Sequence, residues 1–333
     1  MPSTIVLNSN NVVQDGNNNQ LVYNFPNSVS FPNHDIAVQS IDMYYSWQNI
    51  NANPLNNNTF FYWWVQYGSG GSSVITAFPV VLPNGLYNIV DINNYLQSVM
   101  IANGTYLINA VGENVYYLEM ILNPSLYSVQ INGFALPTTL PAGWSLPSNY
   151  PSGAIFTNFV FAPSFALNVP ANTSFTSNNF YKIIGFPQNF NSSNSPTGNQ
   201  TPNYSSYTFT SSQFGLAPQV QPNPVIYLAS TNIDNKYAKP STILYSVTPN
   251  VSFGALINIV PPQFAWNKLL QGNYNQLRIQ ILGSDFSPIK LLDPNMTIVL
   301  VIRDRSLIIP KSIRDSQASI TDKNKNRQIR VTI

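Results

Sequence analysis

The stretch Tyr274–Asp304, YNQLRIQILGSDFSPIKLLDPNMTIVLVIRD, decides the fold. Leu277, Ile279 and Ile281 alternate with Arg278 and Gln280, the period of a strand with one buried face. Asp293-Pro294-Asn295 supplies a turn. Met296–Ile302 is then apolar on both faces, as expected of a strand covered from both sides or lying at an interface.

The same grammar extends outward. Pro (26) and Gly (16) punctuate runs rich in aromatic and β-branched residues, the pattern of an all-β sandwich or barrel. Thr4–Leu7 and Gln20–Phe25 read as an opening pair across an Asn-Gly-rich turn. Ala37–Tyr45 alternates, with Val38, Ser40, Asp42 and Tyr44 opposing Ala37, Gln39, Ile41 and Met43. Thr59–Tyr67 and Val74–Leu82 form a hairpin across Gly68–Ser72. Thr105–Val111 and Asn114–Leu122 read as another, and strand character returns at Val225–Ala229 and Ser241–Val247. One helix is expected near Asp91, with Ile92, Tyr95, Leu96, Val99 and Met100 on its apolar face and Asn103-Gly104 as its stop. Residues 123–176 and 186–224 are rich in Pro, Asn, Ser and Thr, and read as long loops or an inserted lobe.

Composition narrows the chemistry. Only 8% of the 333 residues are charged, against about 25% in ordinary chains. With no Cys and one His, thiolate nucleophiles, Cys-ligated metals and multi-histidine sites are excluded. Neutral groups, above all 46 Asn, must stand in for charge. An enzyme is not expected, nor a cofactor. MPSTIVLNSN lacks the basic and apolar regions of a secretory leader. The apolar runs, near five residues, are too short for a membrane span. The Asn-x-Ser/Thr triplets at Asn57, Asn103, Asn250 and Asn295 are what this Asn content gives by chance. Charge is polarised: residues 1–181 hold six acids and no base, whereas Arg303–Ile333 holds eight bases and three acids. Such a basic tail, with Lys311, Arg314, Lys323, Lys325, Arg327 and Arg330, reads either as a solvated end or as a contact for nucleic acid or a neighbouring subunit.

Each candidate site has a plain counterpart. Phe60-Phe61-Tyr62-Trp63-Trp64 puts Phe60, Tyr62 and Trp64 on one strand face and Phe61 and Trp63 on the other. This is either a sugar-stacking platform or a core or inter-subunit strand. His34-Asp35 reads as half of a dyad or as a loop His bonded to its neighbour. Glu113 and Glu119, the only glutamates, read as a glycosidase pair or as solvated hairpin residues. Gly68–Ser73 is Gly-rich but lacks the Lys-Ser/Thr ending of a phosphate loop. Asp285, Asp293 and Asp304 would bind calcium only if their loops converge.

Two segments, LPNGLYNIVDINNYLQSVM (Leu82–Met100) and Tyr274–Asp304, with SNNFYKIIGF (Ser177–Phe186) between them, resemble jelly-roll capsid proteins of the Polinton and virophage group of double-stranded DNA viruses. The vertex (penton, or minor capsid) protein is the best match. The resemblance implies a jelly-roll β-sandwich, two four-stranded antiparallel sheets face to face. A single roll is preferred, over residues 1–304, with an inserted lobe within 105–224 and a basic tail at 305–333. It implies a virion protein assembled in the host cell, associating with itself as a homopentamer and with major capsid capsomers. On charge polarity alone, the tail would face genomic DNA or neighbouring subunits, and the neutral loops would face outward. A trimeric double-jelly-roll major capsid protein and a β-sandwich fibre head or adhesin that binds carbohydrate remain as alternatives.

Overall fold

The computed structural model describes residues 2–67, 73–151, 162–167, 169–170, 174–175, 178–192 and 205–308. In chain order its strands begin with β1 (Ser3–Leu7), β2 (Gln20–Ser30) and β3 (His34–Tyr44). Next come β4 (Thr59–Tyr67), β5 (Ser73–Val81), helix α1 (Ile89–Ala102), β6 (Leu107–Ile108), β7 (Asn114–Val115), β8 (Leu118–Asn123), β9 (Ser128–Gly133), β10 (Ser164–Ala166), helix α2 (Phe180–Ile184) and β11 (Tyr207–Thr210). The chain closes with β12 (Ile226–Ala229), β13 (Ile233–Asp234), β14 (Ile243–Val247), β15 (Leu256–Ile259), β16 (Asn267–Leu269), β17 (Asn273–Leu282) and β18 (Met296–Asp304). Two compact units result: Met1–Trp47 with Asn223–Ile333, and Gln48–Pro222.

The first unit is the sandwich. One sheet runs β1-β18-β3-β16-β13, with β15 also on β3; the other runs β14-β12-β17-β2, and every pairing is antiparallel. Both β15 and β16 lie along the same side of β3, at Ile41–Tyr44 and Asp35–Ile36, so they form one lane broken between Ile259 and Asn267. Numbering lanes along the chain then gives 1-8-3-6 in one sheet and 2-7-4-5 in the other. This is the strand order of a single jelly roll. The pairs β1–β2 and β3–β14 touch across the sandwich.

Packing explains the registers. On β18, Met296, Ile298, Leu300 and Ile302 share one face and are all buried. Their partners on β3 are Met43, Ile41, Val38 and Ile36, also buried. The parity changes between Val38 and Ile41 because Gln39, which is exposed, has no partner: Leu300 pairs Val38 and Val299 pairs Ser40. A bulge at Gln39 thus keeps four apolar side chains inward in a sequence whose strict alternation would send Val38 out. The expected alternation on β17 is present, with Leu277, Ile279 and Ile281 buried and Arg278 exposed.

The expected opening pair is corrected. Segments β1 and β2 lie in different sheets, β1 on β18 and β2 on β17. Ile5 and Leu7 are buried on the β18 side, and Leu21 opposite Ile279, so burial of both runs requires separate sheets.

The second unit has its own core. Sheets β10-β4-β5 and β11-β9-β8, the short ladder β6-β7 and the two helices build it. The inserted lobe was expected within 105–224. The unit instead spans 48–222, because the aromatic hairpin β4–β5 and helix α1 share a core with β8 and β9. The hairpin expected over 105–122 is reduced to the two-residue ladder β6–β7, since β8 pairs with β9. Helix α1 starts at Ile89, earlier than Asp91. Asn88 Oδ1 accepts from the Asp91 amide at 2.9 Å and Asp91 Oδ2 from the Asn88 amide at 3.0 Å, a reciprocal cap. Ile89, Ile92, Leu96 and Met100 form its buried face. Gly104 ends it at φ +68°, where an added Cβ would meet the Asn149 carbonyl. Asn149 Nδ2 in turn donates to Ile101 O at 3.0 Å and Ala102 O at 3.1 Å.

Asparagine does more than cover the surface. Asn49, 1% exposed, donates to Tyr87 O and Val220 O, both at 2.6 Å, and accepts from the Tyr87 amide at 2.8 Å. Asn57 and Asn267 likewise donate to backbone carbonyls from buried positions. A neutral amide satisfies loop backbone at little desolvation cost, which a carboxylate or ammonium would not.

Candidate functional site

The aromatic strand β4 is held on both sides, by β5 from Thr59↔Val81 to Tyr67↔Ser73 and by β10 through Phe61↔Ala166, Tyr62↔Phe165 and Trp63↔Ser164. Phe60, Tyr62 and Trp64 are fully buried on one face. Phe60 stacks on Phe180 at 4.7 Å and meets Phe165 at 5.3 Å; Tyr62 stacks on Phe78 at 5.2 Å. The Tyr62 hydroxyl lies 2.8 Å from Thr105 Oγ1, and burial pushes its phenol up to about 12. On the other face Phe61, 1% exposed, meets Phe175 at 5.3 Å, and Trp63 is half-buried. Among the described residues, the buried rings of Phe60, Phe61, Tyr62 and Trp64 leave no open face on which a pyranose could stack, and Trp63 alone of the run is partly exposed.

His34 and Asp35 do not form a dyad. His34 Nδ1 sits 2.6 Å from Pro32 O. Asp35, buried, is paired with Arg303 at 3.3 Å and Arg305 at 3.0 Å, and the Arg303 guanidinium lies 3.9 Å over the Trp266 ring. Glu113 Oε2 accepts from Asn109 at 3.0 Å at a hairpin tip, and Glu119 Oε1 from Asn132 at 2.7 Å on the β8–β9 sheet. Both serve their own strands. Each of the three aspartates considered for calcium closes its own turn. Asp285 accepts from Ser287 Oγ at 2.6 Å, Asp293 from the Asn295 amide at 2.7 Å and Asp304 from Ser306 Oγ at 2.6 Å. The Ser287 and Ser306 hydroxyls hold the Asp285 and Asp304 carboxyls below the usual range. Among the described residues no group of three or more His, Asp or Glu could hold a metal ion, and no helix is long and apolar enough to cross a membrane. Gly68–Ser72 and the tail residues Lys311, Arg314, Lys323, Lys325, Arg327 and Arg330 lie outside the described residues.

Sequence reading missed the exposed apolar groups. In the second unit the β8–β9 hairpin tip shows Ile121, Leu122, Leu126 and Tyr127, the last 74% exposed and left-handed at φ +46°. The Asn123-Pro124 turn signal was legible there. In the first unit the outer face of the β1–β18–β3 sheet shows Val6 on β1 and the directly paired Tyr44 and Leu256 on β3 and β15, with Val260 just beyond. Neither β1 nor β15 contains a charged residue.

Strand order and burial together define the class: an all-β protein built on a single jelly-roll sandwich, its aromatic run committed to packing. Compared with solved structures, the chain is similar to the penton protein of mavirus, at 11% identity and a TM-score of 0.39, over 91% of this chain and 98% of that one. The class rests on the lane order of this chain and not on that likeness. No protein-family model and no curated protein matches.

Proposed function

We propose that the chain is a structural subunit of a viral capsid, the vertex protein that closes as a homopentamer at the five-fold positions of an icosahedral shell of a double-stranded DNA virus or virophage. The observation that carries this reading is the single jelly roll with uncharged, apolar margins on an exposed sheet. Jelly rolls also serve lectins and cupins, so the fold alone does not choose among them. Burial of Phe60, Phe61, Tyr62 and Trp64 argues against a sugar platform on that strand. The double-roll reading would need a second eight-lane roll, and among the described residues the strands of 48–222 form two three-stranded sheets and a two-stranded one. Five copies closing a ring use heterologous contacts, which suit a chain with two different margins. The basic segment 305–333 is assigned to the genome or to neighbouring capsomers on its charge alone.

The test is the solution mass by light scattering across a range of salt. A species of about 185 kDa, five times the 37.0 kDa chain, is expected. A stable trimer of about 111 kDa would overturn the vertex reading in favour of a capsomer or fibre head.

A further inference from the structure

We infer that subunits join through the two open margins of the sheet β1-β18-β3-β15/β16, with β1 of one copy adding beside β15 of the next. This inference rests on the self-association proposed above and names the surface that would carry it.

Four observations on the first unit lead to it. Among the described residues the sheet ends at β1 on one side. On the other side β13 covers only the β16 half of the sixth lane, and among the described residues no strand pairs with the far edge of β15. Every second residue on such an edge presents a backbone N–H and C=O without a ladder partner.

Charge is the second observation. Edge strands are usually protected by Lys, Glu or an inward-pointing charge. Ser3–Leu7 and Leu256–Ile259 carry none. They are bounded by Pro2 and by Pro261-Pro262, so any added strand is limited to four or five residues, about the length of its counterpart.

Direction is the third. Because β1 is antiparallel to β18, β18 to β3, and β15 to β3, β1 and β15 run in opposite senses within the sheet. A second copy continuing the sheet therefore meets β15 with an antiparallel β1. The fourth is side-chain polarity. Leu256 and Asn258 pair Tyr44 and Asp42 on the outer face, and Val6 pairs Val299 on that same face. Val6 at 48% and Leu256 at 47% exposure would be brought side by side. The two margins differ, so the contact is head-to-tail and closes a ring where the rotation permits.

The absence of native Cys gives a clean test. Outer-face positions are replaced in pairs: Val6→Cys or Thr4→Cys with Leu256→Cys or Asn258→Cys. Within one copy the two margins are three lanes apart, about 14 Å at the usual strand spacing, so a disulfide can form only between copies. Mild oxidation of the intact chain should give a ladder of covalent oligomers on a denaturing gel that collapses on reduction. The control Val6→Cys/Tyr127→Cys should give none. Mixing singly substituted chains should give only the cross product between a β1 and a β15 variant. Circular dichroism identifies any variant that fails to fold, and the other pairs then decide. Association by light scattering with no cross-link from any outer-face pair would overturn this inference and leave self-association standing. Cross-links of Val6→Cys with itself would replace the ring by a two-fold dimer. A chain that stays monomeric and uncross-linked would overturn both readings.

Discussion

Deleting Gln39 from the middle of β3 is expected to leave the sandwich intact, whereas deleting Ala37 is expected to damage it. Gln39 is exposed and has no partner on β18. Its removal joins Val38 to Ser40, and Ile36, Val38, Ile41 and Met43 then alternate inward without a bulge. The sixth lane, broken between Ile259 and Asn267, is discontinuous opposite that point and has slack to follow. The cost should be about 1 kcal/mol or less. Without Ala37 the strand has two options. Either Gln39 turns inward and Val38 outward, or Ile36 turns outward and Asp35 inward. The first loses about 1.5–3 kcal/mol of Val38 burial and places an amide in the core at about 1–3 kcal/mol more. The second buries a carboxylate away from Arg303 and Arg305, which is worse. The total of about 2.5–6 kcal/mol is a large share of ordinary domain stability. Urea unfolding followed by far-UV circular dichroism reads it: with a slope near 3 kcal/mol/M, the midpoint should fall by roughly 1–2 M for the Ala37 deletion and little for the other. Equal losses, or the reverse order, would show that the bulge does not set the parity of β3.

Two further outcomes follow from the second unit. Phe60→Ala removes a fully buried ring from between Phe165 and Phe180 and should cost about 3–5 kcal/mol in the urea transition of that unit, while Tyr127→Ala on the exposed tip should cost little. For Tyr62, burial raises the folded-state phenol from 10.0 to about 12, so its contribution to stability is complete below pH 10 and is lost as pH rises toward 12. Alkaline unfolding curves of Tyr62→Phe should therefore be flatter over that interval, and an unchanged slope would count against the burial of this hydroxyl.

What could be read in the sequence is what local periodicity carries. Leu277, Ile279 and Ile281 announce their strand, and Ile92, Leu96 and Met100 their helix, because each pattern is complete within a few residues. The start of α1 was also written locally, in Asn88-x-x-Asp91, but as an amide–carboxylate pair and not the more familiar Ser/Thr–Glu cap. Pairing is different. That β1 belongs with β18, and not with β2, depends on residues nearly three hundred positions away. The Gln39 bulge shows only once β18 is laid beside β3. Short strands such as β10 and β11 sit in Pro-, Asn- and Ser-rich surroundings, where three or four residues are too few for a period to emerge. For the candidate surface the limit is similar. Burial of the aromatic run fits its composition, but exposure of Val6, Tyr44 and Leu256 depends on which neighbours the fold does not provide.

The split of the first unit bears on the order in which the molecule can be made. Trp47, the last residue before the second unit, donates its indole N–H to the carbonyl of Asn223, the first residue after it, at 3.1 Å. The roll thus opens and closes at one point, and in the sequence residues 48–222 form a single long connection between lanes three and four. During synthesis that connection is complete and continuous well before the roll is, so it can fold while lanes one to three still wait. Until residues 223–304 emerge, β1 and β3 lack the strand β18 that lies between them. The vulnerable interval of this protein's life is therefore set by translation time, and the nascent chain spends it with Ile36, Val38, Ile41 and Met43 uncovered.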